Sequence, residues 1–342
     1  MRIVERPFSL SYAAHMVSQG VPPVLARAWC ARGVTTPTEA EASLESLEPY
    51  TRLAHAERMA QILADAIEQK KRLLIVADYD ADGATACTIG VRALRAFGAD
   101  VRYLIPYRLE HGYGLTPGIA DIACTSEPRP DYLITVDNGI SSHAGIERAG
   151  EYGVPVLVTD HHLPGAQHPQ AEVIVNPNQH GCTFPSKALA GCGVMYYVMW
   201  ALQDELVSRG AEFADRDFEV SSLLPFVAVG TVADVVPLDR NNRILVAEGL
   251  KRLRAGRSFA GLDALARVSG RNPRELSTSD IAFGVGPRIN AAGRLETMDV
   301  GVDCLTCDDP ERAETLAKSL HDINDRRKEI EGEMVDEAVR QL

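Results

Sequence analysis

Leu73-Leu74-Ile75-Val76-Ala77-Asp78-Tyr79-Asp80-Ala81-Asp82-Gly83 is the stretch from which the fold is read. Five apolar residues run together with no helical period and stop at three aspartates, the pattern of a strand buried on both faces. The next segment, Ala84–Phe97, changes rhythm, with Cys87, Val91, Leu94 and Phe97 at helical spacing. Further short apolar runs follow at Val101–Ile105, Tyr132–Val136, Val154–Val158 and Val173–Val175, with a short helix expected over His143–Tyr152. Strand, helix and strand at this cadence predict βαβ units, hence an α/β fold whose mostly parallel central sheet is covered by helices on both faces.

Outward from this core the text changes. Residues 1–53 read as a small helical N-terminal region in which no chemistry is evident. A helix is expected over Met195–Val207, while Phe226–Val232 is apolar throughout and fits a buried strand or a buried helix equally. From Pro310 onward, Leu316, Leu320, Ile323, Ile330 and Met334 recur among charged residues as in one long amphipathic helix. The expected division is therefore 1–53, 54–309 and 310–342, the last a connector helix.

The formal charge of −12 argues against polyanion binding by the whole surface, though bound cations reverse the sign of an acidic pocket. The seven cysteines are odd in number and irregularly spaced. Cys304 and Cys307 form a lone CxxC with no second half, which disfavours structural zinc. Reduced thiols and the lack of a signal-like or membrane-spanning apolar run predict a cytoplasmic protein without membrane attachment.

Chemistry enters where the acids fall. Asp78, Asp80 and Asp82 follow the first run, Asp137 follows Ile134-Thr135-Val136, Asp160-His161-His162 follow Val156-Leu157-Val158-Thr159, and Asp234 ends Val227–Ala233. An open parallel sheet binds ligands at the carboxyl ends of its strands, so these runs bring acids and histidines to one edge. Like charges so crowded repel unless cations neutralise them. Oxygen donors with one imidazole suit Mn²⁺ over Mg²⁺, and their number suits two ions about 3.5–4 Å apart. An EF-hand is the rival reading of Asp78–Gly83, but Ile89 stands where the bidentate Glu belongs, and a strand precedes the loop. Gly191-Cys192-Gly193 matches no phosphate-binding fingerprint and reads as close packing at a helix start.

The ordered set Asp78–Gly83 (DYDADG), Asp137–Ile140 (DNGI), Asp160–His162 (DHH) and Gly230–Asp234 (GTVAD) resembles the four metal-site motifs of the DHH phosphoesterases. Pro106–Gly114 (PYRLEHGYG), Asn176–Asn178 (NPN) and Gly286–Leu295 (GPRINAAGRL) are similar to one branch, the RecJ-like single-stranded-DNA-specific exonucleases, and the resemblance covers roughly residues 54–342. It implies Asp80, Asp82, Asp137, His161 and Asp234 as metal ligands, with Asp137 as the bridge. Asp78, Asp160 and His162 would be catalytic or supporting residues. It also implies that Arg108 engages a terminal 5′-phosphate and that Arg288 and Asn290 contact the nucleic-acid backbone, while Arg294 fits a salt bridge equally well. Gly112 and Gly114 read as turn formers.

The implied activity is Mn²⁺-dependent (alternatively Mg²⁺-dependent) 5′→3′ hydrolysis of single-stranded DNA, releasing 5′-nucleotides in repair and recombination. The implied partners are single-stranded DNA with a 5′ end and replication or repair proteins such as a single-strand-binding protein or a helicase. The resemblance further implies a substrate-gripping domain beyond the long helix, which this sequence does not contain, so weak processivity is expected of it alone. Two alternatives share the motifs: a phosphodiesterase or phosphatase for oligonucleotides, cyclic dinucleotides or pyrophosphate, and a metal-binding scaffold without activity.

Overall fold

The computed structural model describes residues 4–40 and 43–341. Five strands, β1 (Arg72–Ala77), β2 (Asp100–Leu104), β3 (Tyr132–Val136), β4 (Val156–Thr159) and β5 (Val173–Val175), form one sheet in the order β2-β1-β3-β4-β5. Every pairing is parallel, and Leu74 lies beside Leu133 as Val76 lies beside Thr135. The chain leaves β1 for one side of the sheet and returns to the other through β3. The crevice between the carboxyl ends of β1 and β3 is thus the topological switch point, where such sheets bind ligands.

Alternation along β1 explains how a continuous apolar run serves two faces. Leu73, Ile75 and Ala77 enter the large core shared with helices Ala56–Glu68, Ala81–Ala96 and Gly191–Ser208. Leu74 and Val76 enter a second core, beneath helices Pro117–Thr125 and His143–Glu151. Near the N-terminus, helices Leu10–Ser18 and Pro23–Cys30 close a separate small cluster through Ala13, Met16, Ala26 and Cys30. No helix among the described residues is long and apolar enough to cross a membrane.

The ambiguous run around Phe226 resolves as helix Leu224–Ala233. Leu224 through Thr231 are all buried, so no polar face exposes a 3.6-residue period to the sequence reader. Asp234 therefore arrives from the C-terminal end of a helix, not from a strand. Gly286–Leu295 is also helical, entered through a π-helical turn at Ile281–Val285. Helix Pro310–Gln341 buries Ala313, Ala317, Leu320 and Ile323, whereas Met334, Val335 and Val339 beyond them are exposed.

The second core has a tight seam. A Cβ at Gly145 would lie 1.9 Å from the Leu115 carbonyl oxygen, and a backbone atom cannot swing aside. Gly145→Ala is expected to cost about 1–3 kcal/mol of stability by overpacking. The measurement is a urea melt, and an unchanged midpoint would mean that this seam gives way easily.

Candidate metal centre

Each acid of the cluster is placed by a backbone device. Asp80 caps helix Ala81–Ala96, its Oδ1 accepting from the Gly83 N–H at 2.8 Å, and Ala81 N–H donates to Asn290 Oδ1 at 2.8 Å. Asp82, in the first turn of that helix, is fully buried yet does not lack partners. Its Oδ2 accepts from Gly191 N–H at 2.6 Å and its Oδ1 from Cys192 N–H at 2.9 Å. These are free N–H groups in the first turn of helix Gly191–Ser208, whose positive end favours a carboxylate. The Gly191-Cys192-Gly193 run thus serves the site as well as packing.

Asp137 is held in the left-handed region at φ 61°, which L-residues with side chains avoid. Its N–H donates to Thr159 O at 3.0 Å, so the strain is maintained by sheet-type bonding to β4. The Asp137 Oδ1 atom is buried and, among the described residues, accepts no hydrogen bond, while His161 Nε2 lies 3.1 Å away. The same Nε2 is 3.9 Å from Asp82 Oδ2 and 3.8 Å from Asp234 Oδ2. Three carboxylates thus converge on one imidazole nitrogen.

The donor atoms sort into three groups, each within 4.8 Å: Asp78, Asp80 and Asp137; Asp82, His161 and Asp234; and Asp137, His161 and His162. Asp137 and His161 each belong to two groups. Electrostatics gives the same message. Burial, reinforced by Asp80, pushes the Asp78 carboxyl up to about 7. Burial together with Asp82 raises Asp80, lifts Asp137 well above the carboxylate range, and brings Asp234 to about 6. Four carboxyls that resist ionisation together are a poor salt-bridge network but a good seat for divalent cations, which relieve the repulsion. A buried unpartnered oxygen and an all oxygen-and-imidazole donor set fit such ions.

Asp160 differs from its neighbours. Burial works to raise its pKa, but hydrogen bonds from His162 and the Ile140 N–H outweigh it and hold the carboxyl below its ordinary value. Its Oδ1 accepts from the N–H groups of His161 at 2.7 Å and His162 at 3.0 Å and sits 2.7 Å from His162 Nδ1, while Oδ2 accepts from Ile140 N–H at 2.9 Å. That contact pushes His162 up to about 9. Asp160 therefore orients and charges His162, whose Nε2 is 3.3 Å from the Tyr113 hydroxyl.

Several supporting residues were not singled out from sequence. The Asn178 side chain donates to the His161 carbonyl at 2.6 Å and that of Asn176 to the His162 carbonyl at 2.9 Å, pinning the histidine loop to the exit of β5. Asn138 bridges the carbonyls of Val76 and Val136, closing the switch-point crevice from below. The NPN and DNGI motifs were the available signals, but their partners lie elsewhere in the chain.

Arg108 stands 5.4 Å from the Tyr79 ring centroid. With Arg294, Asn290, Asp78, Asp80 and Asp234 it lines a cavity of about 290 Å³. Arg288 does not reach this cavity. Only 7% exposed, it donates to Gly284 O at 2.7 Å and lies 3.1 Å from His321 Nδ1 on the long helix, so its guanidinium is committed to packing. The expected contact with a nucleic-acid backbone is corrected accordingly. A helical turn rotates residues three and four apart onto one face, which brings Asn290 and Arg294, not Arg288, toward the acids.

Residues 72–231 match the family described as the DHH family, N-terminal domain. The chain is 47% identical over 323 residues to the single-stranded-DNA-specific exonuclease RecJ of Salmonella typhimurium, covering 93% of this chain and 56% of that protein. A crystal structure of exonuclease RecJ bound to manganese superposes with a TM-score of 0.75 at 38% identity, covering 84% of this chain and 70% of that one. RecJ from Thermus thermophilus in complex with Mn²⁺ gives a TM-score of 0.81 at 34% identity, covering 99% of this chain and 47% of that one. The same Thermus protein with Mg²⁺ gives 0.73 at 31% identity, with 98% and 44% covered. The chain spans about half the length of the curated relatives it matches. The strand-end cluster gathers oxygen and imidazole donors suited to divalent cations, in a scaffold similar to ones solved with either ion.

Proposed function

The chain belongs to the DHH family, in its RecJ branch, and from that premise we propose that it is the catalytic core of a single-stranded-DNA-specific 5′→3′ exonuclease. The observation that carries the proposal is the meeting of overlapping acid–histidine groups with two arginines over one cavity. Asp80, Asp82, Asp137, His161 and Asp234 would hold two Mn²⁺ ions, Asp137 belonging to two of the donor groups. Such ions supply charge neutralisation at a phosphodiester and an acidified water.

The chain's own groups do the rest. His162, protonated and oriented by Asp160, donates toward a phosphoryl or leaving oxygen. Asp78 shapes the wall that Asp80 and Asp137 share. Arg108 and Arg294 offer guanidinium forks to a terminal 5′-phosphate, whose bidentate recognition suits Arg better than Lys. Asn290 holds the start of helix Ala81–Ala96 in register with that cavity. Because the terminal phosphate is gripped beside the acids, cleavage releases a 5′-nucleotide and moves inward from the 5′ end.

Incubation with 5′-phosphorylated single-stranded and duplex DNA, with and without Mn²⁺, tests the reading. Nucleotides are expected from the single strand alone, and from its 5′ end. Arg108→Ala should lower kcat/KM on the phosphorylated strand by roughly 10–100-fold, the worth of one charge-assisted hydrogen-bond set, and abolish its advantage over a 5′-hydroxyl strand. An undiminished preference in that variant would remove Arg108 from the substrate. A second reading, hydrolysis of short oligonucleotides in preference to long strands, is favoured by the small volume of about 290 Å³. Rates on two-nucleotide and long substrates separate the two.

A further inference from the structure

A cavity of about 740 Å³ opens at the end of helix Ala81–Ala96 opposite the metal centre. It lies roughly 24 Å from the cluster along that helix, 16 residues at about 1.5 Å each. Four arginines line it. Two are already engaged. Arg92 donates to Asp308 at 2.8 Å with its guanidinium 4.5 Å from the Phe259 ring centroid, and Arg252 is 2.7 Å from Glu248. Arg95 and Arg257 are exposed and, among the described residues, make no side-chain ion pair or hydrogen bond. Yet carboxylates such as Asp215, Asp217 and Glu219 line the same cavity.

Two uncommitted guanidiniums lining one cavity offer hydrogen-bond donors to an oxyanion. Nearby, the buried Ser258 Oγ has no hydrogen-bond partner among the described residues. Phe218 and Phe259 supply aromatic surface, the latter braced against Phe226 at 4.4 Å between ring centroids. Acidic groups on the same lining disfavour a polyanionic strand but accept hydrogen bonds from amino groups and sugar hydroxyls. A ligand that matches all of this carries one phosphate, a polar sugar and a flat ring, and the cavity lies within the usual 300–1,000 Å³ range of small-molecule sites.

We propose that this cavity binds a nucleoside monophosphate, its phosphate on Arg95 and Arg257 and its base against the aromatic wall. The site stands apart from the metal centre and does not depend on the nuclease reading, although that reaction would release ligands of this class.

Isothermal titration of the chain in EDTA with deoxyadenosine 5′-monophosphate tests the proposal, with deoxyadenosine and inorganic phosphate titrated separately. EDTA keeps divalent ions out of the other site. Saturable binding is expected for the nucleotide, at least 10-fold tighter than for either fragment. The double variant R95A/R257A should weaken it at least 10-fold, while R108A leaves it unchanged. Both substituted arginines are exposed, and a thermal melt with retained Mn²⁺-dependent hydrolysis verifies the fold of the double variant. The proposal is overturned by absence of heat at millimolar nucleotide, by equal affinity for phosphate alone, or by loss of binding in R108A instead. Failure of any of these leaves the exonuclease reading standing, since that is read on DNA with metal present.

Discussion

Asp137→Ala is expected to reduce Mn²⁺-dependent hydrolysis by roughly 10³-fold or more, the scale of losing a group that organises a catalytic metal site. Asp137 contributes to two of the three donor groups, so its loss removes an oxygen from each at once. The stability readout separates this from unfolding. In the metal-free protein Asp137 is a buried carboxylate crowded by Asp82, Asp80 and Asp78, and burial holds its pKa well above the ordinary range. Alanine relieves that crowding and should leave the metal-free Tm unchanged or raised. What disappears is the stabilisation that Mn²⁺ brings to wild type, about 2.7 kcal/mol at a hundredfold excess over Kd. Retained hydrolysis, or an undiminished Mn²⁺-induced rise in Tm, would remove Asp137 from the metal centre.

Gly191→Ala is expected to cripple the same centre without replacing any of its acids. A Cβ at Gly191 would lie 2.4 Å from Asp137 Oδ1 and 2.7 Å from both Cβ and Cγ of that residue. Asp137 cannot step aside easily, because its backbone is in the left-handed region and its N–H is tied to Thr159. Displacement by about 1 Å costs on the order of 10²-fold in rate, and overpacking about 1–3 kcal/mol in stability. Gly193→Ala is the matched control. Its Cβ would meet Leu189 Cδ1 at 2.5 Å, the far end of a flexible side chain and not one of the acids. That variant should bind Mn²⁺ as wild type does, while Gly191→Ala binds at least 10-fold more weakly by calorimetry. Equal affinities would show that the start of helix Gly191–Ser208 does not bear on Asp137.

Much of the site was legible because its signals are local. An apolar run that ends in aspartate announces a strand and its carboxyl end, and that alone aligned Asp78, Asp137 and Asp160 on one edge. Helix Leu224–Ala233 escaped the same logic, since a segment buried on every side has no polar face to reveal its period. Arg288 misled for a related reason. An arginine in a polar segment reads as solvent-facing, and only the packing of the long helix shows that it is 7% exposed beside His321.

By itself, the sequence determined the α/β layering, the parallel cadence and the strand-end acids and histidines that share one edge, all of which follow from side-chain period and chain direction. Tertiary structure alone decided the rest. It set the strand order that makes β1 and β3 neighbours, the helix start that holds Asp82, the left-handed Asp137, and the asparagines that pin the histidine loop. These are contacts between residues far apart in the chain, fixed by close packing and by pairing of buried polar groups, and neither leaves a periodic trace in the sequence.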